Sequence, residues 1–169
     1  MRKWLFALSL LTAFFLDNVF LNTANVLGLR PDVTLAMLIS LGVLLGPAPA
    51  ALTGFITGLL ADIFFNKIVG LTALTYMLSG LAGGLFYRKF YADNLIIPTV
   101  TAMVCSFLKE HFFLIASLLY GSKPNYFAAL GYYILPCFLL TGGVCLLIHL
   151  FFKAALFKPL YRKEAIKLD

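Results

Sequence analysis

Charge is the scarcest thing in this chain. Only 12% of its 169 residues are Asp, Glu, Lys or Arg, where soluble domains carry about a quarter. So few cannot cover a water-facing surface, and the 62% that are hydrophobic exclude a soluble globular reading. Cysteine is scarce too. Cys105, Cys137 and Cys145 lie inside apolar segments without Cys-x-x-Cys spacing, so neither a disulfide framework nor a metal site is indicated, and each reads as a small buried apolar residue. Signatures of catalysis are missing: there is no His-Glu-x-x-His, no Gly-x-Ser-x-Gly, no Gly-x-x-x-x-Gly-Lys-Ser/Thr and no Cys/His cluster. Neither catalysis nor a cofactor is expected.

Long apolar runs stand in their place, and about 18 such residues with few charges mark a bilayer-spanning helix. Spans are predicted near 4–24, 31–45, 49–65, 70–87, 95–120 and 126–152, followed by a basic tail over 153–169. The predicted fold is therefore an all-α integral membrane bundle of six transmembrane helices, one multi-pass domain over residues 1–169. Only Gly46-Pro47-Ala48-Pro49 separates the second and third segments, and the second is short for a full crossing, so the two read as spans or as a re-entrant hairpin. Pro136 inside the sixth predicts a kink or tilt. Met1-Arg2-Lys3 resembles the start of a signal peptide, but the stretch ends in Asp17-Asn18 and Asn22-Thr23 without a small-x-small cleavage site, which predicts a retained first helix.

The net charge of +6 comes from basic residues gathered at the two ends and in one loop, a pattern of membrane orientation rather than of nucleic-acid binding. Arg2, Lys3, Arg88, Lys89 and the tail cations Lys153, Lys158, Arg162, Lys163 and Lys167 fall on one side; Arg30, Lys67 and Lys123 fall on the other. Positive loops stay inside, so both termini are expected in the cytoplasm. The tail is expected to touch anionic headgroups, at about 1 kcal/mol per basic residue.

A charge within a span costs several kcal/mol unless paired or hydrated, which makes Asp17, Asp62, Lys109, Glu110 and His111 candidates for function. At about 1.5 Å per residue, Asp17, Asp62 and Lys109 each lie roughly 20 Å along helices running outward. That layer is in the outer half of a core about 30 Å thick. Lys109 is expected to pair with Asp62 or Asp17. Lys109 and Glu110 point about 100° apart, which argues against one shared partner site. Such groups either pin helices together or line a polar cavity. His149, near Lys153, reads as interfacial. Gly54, Gly58 and Asp62 recur every fourth residue and share one stripe, where the glycines permit close helix approach; Ser79, Gly80, Gly83 and Gly84 give the next helix a similar face, and Gly142-Gly143 the last.

Arg30-Pro31-Asp32 opening a span, Gly46-Pro47 at the turn, Gly54-x-x-x-Gly58-x-x-x-Asp62, Gly70-Leu71-Thr72-Ala73-Leu74, and Ser79-Gly80 through Gly83-Gly84 together resemble the bacterial rod shape-determining protein MreD family. The specific part runs from Arg30 to Lys89; the rest agrees in hydrophobicity, size and topology, and Lys109-Glu110-His111 matches no family pattern. The resemblance implies a non-catalytic scaffold in the bacterial cytoplasmic (inner) membrane, within the cell-elongation machinery that builds peptidoglycan. Its implied partners are the bitopic protein MreC, the actin-like MreB, and the synthase pair of RodA and a class B penicillin-binding protein. The residues add a location: Arg30, Asp32 and Lys67 would line the outer mouth, where a largely extracytoplasmic partner meets the membrane.

A rival reading is the substrate-binding subunit of an energy-coupling-factor vitamin transporter, which is of similar size and holds its ligand near the outer side. Trp4, Tyr120, Tyr126, Tyr132 and Tyr133 would then line a pocket, although aromatic residues at membrane interfaces normally form belts. Against it, Ala7, Leu11 and Phe15 give the first helix no small-residue docking face.

Overall fold

The computed structural model describes residues 10–21, 30–65, 69–87, 94–119, 121 and 126–152. The expected span start at 4–9, the cations Lys67, Arg88, Lys89 and Lys123, the aromatics Trp4 and Tyr120, and the tail at 153–169 lie outside them. Every regular element among the described residues is helical. We label them α1 (10–21, a helix over Leu10–Val19 that widens into a π-turn at Leu16–Leu21), α2 (Val33–Leu45), α3 (Pro47–Phe65), α4 (Leu71–Gly84), α5 (Ile96–Leu119) and α6 (126–152).

α2 is the axis. Its 13 residues span about 20 Å, and every residue from Thr34 to Gly42 is buried, the mark of a helix enclosed on all sides. It touches α1, α3, α4, α5 and α6. α3 and α4 pack as one antiparallel pair and α5 and α6 as another, both against α2, and α4 also touches α5. α3, α5 and residues Leu130–Phe152 of α6 are each long and apolar enough to cross a membrane. Their outward surfaces carry Leu52, Phe64, Val100, Leu108, Leu147 and Phe151, apolar side chains suited to lipid tails.

The glycine stripes form the seams. A Cβ on Gly54 would lie 2.5 Å from Tyr76 O, one on Gly58 2.5 Å from Ala73 Cα, and one on Gly80 2.5 Å from Ala50 O; one on Gly84 would strike Pro47. These contacts are with backbone, so α3 and α4 approach as closely as peptide groups permit. Gly83 makes the same contact with Ile39 on α2. Gly46, at φ +103°, turns the chain from α2 into α3 in a conformation that side chains disfavour. α3 therefore begins at Pro47, a proline well suited to a first helical position.

Pro136 acts differently from a simple kink. It has no N–H to donate and its ring crowds the preceding turn, and the helix just before it is widened into a π-segment at Leu130–Ile134. The Leu135 N–H accordingly bonds to Leu130 O, five residues back. His149, expected at an interface, is instead buried at 1% exposure, because it shares the inward stripe of Cys145 and Phe152.

Candidate functional site

The polar groups converge on the first turn of α2. A helix start leaves four N–H groups without intrahelical partners, and within a membrane water cannot serve them. Here two carboxylates do so. Asp32 caps its own helix through Leu35 N–H at 2.8 Å; Asp17, from the π-turn of α1, accepts Val33 N–H at 2.8 Å and Thr34 N–H at 2.5 Å. The positive end of the α2 dipole favours both charges.

Asp32 is 7% exposed, yet all its polar atoms are engaged. Lys109 Nζ on α5 forms an ion pair with Oδ2 at 2.5 Å, and the Tyr76 hydroxyl on α4 donates to Oδ1 at 3.0 Å. The Asp32 N–H donates to Thr141 Oγ1 on α6 at 3.0 Å, and Thr141 in turn donates to Cys137 O at 2.9 Å. One residue thus ties α2 to α4, α5 and α6. The Lys109 ammonium also lies 5.2 Å from the Tyr76 ring centroid and 5.6 Å from that of Phe113, within cation–π range.

One expectation is corrected here. Lys109 pairs with neither Asp62 nor Asp17 but with Asp32, because short α2 starts at the depth of the polar layer rather than at its mouth. Lys109 and Glu110 have no common partner, as their angular separation implies: Lys109 is held by Asp32, while Glu110 faces a cavity of about 300 Å³ that both border, together with Asp17, Asn18, Arg30, Asp32, Tyr76, Phe113 and Tyr133.

Asp62 is elsewhere engaged. Fully buried, it accepts N–H groups of Gly70 at 2.8 Å, Thr72 at 3.0 Å and Ala73 at 3.1 Å. It is the cap of α4, supplied from the neighbouring helix because Gly70 has no side chain to provide one. His111 turns from the cavity, contacting Phe107 O at 3.0 Å and the Tyr126 hydroxyl at 3.2 Å. Arg30, an exposed residue, donates its backbone N–H to Cys137 Sγ at 3.5 Å. Tyr76 is absent from the candidates read off the sequence, although a phenol hydroxyl in the middle of an apolar helix needs a partner and is itself a signal.

The protein is thus a helical membrane protein with a closed polar knot beside a small cavity. No curated protein and no solved structure matches the chain. Residues 1–158 match the family model for the rod shape-determining protein MreD, a family of shape-determining membrane proteins. The chain belongs to the MreD family.

Proposed function

We propose that this protein is a non-catalytic scaffold of the cell-elongation machinery, crossing the bacterial cytoplasmic membrane six times with both termini inside and binding an MreC-like partner at its outer face. The family match over 1–158 carries the role in rod shape. The disposition of the carboxylates supports the scaffold part. Asp17, Asp32 and Asp62 accept helix N–H groups or an ion pair, so they hold helices in place instead of standing ready to transfer protons. The cavity and Arg30 beside it offer the partner a polar foothold. RodA, its penicillin-binding protein and MreB belong to the same assembly in this reading.

Affinity purification of the tagged protein in mild detergent, with identification of stoichiometric companions, tests the proposal. Recovery of MreC or the synthase is the expected result. A vitamin-transport subunit is the second reading, favoured by the cavity itself; recovery of paired ATPases with a coupling subunit, or of a bound vitamin, would replace the first with it.

A further inference from the structure

We propose that the cavity receives one cationic side-chain end, a lysine ammonium or arginine guanidinium of a partner at the outer membrane face, with Glu110 as its counter-charge. The inference rests on the scaffold reading above and specifies what the partner inserts.

The charge inventory leads there. Lys109 is matched by Asp32, and Asp17 by the amides opening α2. Glu110 is half-buried and makes no hydrogen bond or ion pair among the described residues, although it borders the same hollow. A carboxylate at this depth persists only where it is paired or hydrated. Two cations, Lys109 and Arg30, also border the cavity, yet Glu110 forms an ion pair with neither. A neutral or anionic occupant would leave Glu110 without an ion-pair partner.

The walls and the volume agree. Tyr76 and Phe113 already present their rings to one cation, Lys109, and Tyr133, also on the wall, adds a further ring and a hydroxyl with no hydrogen bond among the described residues. Aromatic faces stabilise ammonium and guanidinium groups. At about 300 Å³ the space is at the small end of ligand pockets, which run roughly 300–1,000 Å³, and suits one long side chain better than an organic cofactor.

The test uses the full chain in nanodiscs of phosphatidylglycerol, which has no cationic headgroup, with n-butylguanidinium as probe and neutral n-butylurea as control. Butylguanidinium is expected to raise the melting midpoint of the wild type and not that of Glu110→Gln, and butylurea to raise neither. An equal rise in Glu110→Gln, or a rise with butylurea, overturns the cation site. Loss of the wild-type response when phosphatidylethanolamine is added would assign the cavity to a lipid amine and overturn the partner side chain. In cells, Glu110→Gln should lower co-purified MreC about tenfold, the scale of one charge-assisted contact, while Glu110→Asp retains most of it. Undiminished recovery with Glu110→Gln overturns the proposal. Absence of MreC from the wild-type preparation is instead a failure of the scaffold reading, and the butylguanidinium comparison then decides the cation site by itself.

Discussion

Lys109 and Asp32 are 77 residues apart in sequence and ion-paired in space, and this contact joins the middle of α5 to the first turn of the buried axis. The pair is well protected: their side chains are 15% and 6% exposed. Tyr76 holds the second carboxylate oxygen, so the carboxylate is fixed from two helices at once. A charge pair so placed specifies which helix ends meet, a role that apolar packing alone fulfils poorly in lipid.

Removing one partner of a buried pair leaves the other charge uncompensated, at a cost of about 3–5 kcal/mol. Lys109→Met is expected near the lower end of that range, since its side chain keeps some exposure. In an Asp32→Asn background most of the loss should vanish; in an Asp62→Asn background it should remain in full. Unfolding midpoints in mixed micelles measure this, and additivity with Asp32→Asn would break the claim that these two residues act as one unit.

Asp62 should behave as a cap rather than as part of that pair. Its acceptors serve Gly70, Thr72 and Ala73, so Asp62→Ala is expected to cost about 2 kcal/mol. The loss should be local. Amide exchange at Thr72 and Ala73 should accelerate while the α5–α6 pair stays protected, and Asp62→Asn, which keeps one acceptor oxygen, should lose less. Uniform acceleration across all helices would show Asp62 to be a global clamp instead.

Much of this is legible in the sequence, and the part that is not has a physical cause. Counting along the helix axis sets Asp17 and Lys109 at one depth, and both border the same cavity. The same count misplaces Asp32 because it takes the second segment to open at the outer mouth. α2 has only 13 residues, so its first turn starts inside the polar layer, where Asp32 meets Lys109. The four-residue stripe of Gly54, Gly58 and Asp62 is visible as a close-packing face, but that Asp62 caps α4 follows only from the fold. Gly70 brings the start of α4 back beside α3, and periodicity within one helix carries no information about that return. The partnership of Tyr76 is likewise set by which helices adjoin.

The seam between α3 and α4 offers the sharpest comparison. A Cβ on Gly58 would lie 2.5 Å from Ala73 Cα and 2.7 Å from both Ala73 N and Thr72 O. No side-chain rotation relieves contacts with backbone, so Gly58→Ala must push the two helices apart, at about 1–3 kcal/mol. Gly143 on α6 has nothing within 4 Å of the place a Cβ would occupy; Gly143→Ala should be neutral or gain up to about 1 kcal/mol from helix propensity. Melting midpoints of the two variants in one detergent make the test, and equal effects would remove the seam as a source of stability. The displaced residues, Thr72 and Ala73, are also those whose N–H groups Asp62 holds. Moving α4 away to admit a methyl at Gly58 therefore stretches the cap as well, and Gly58→Ala combined with Asp62→Ala should cost less than the sum of the two alone.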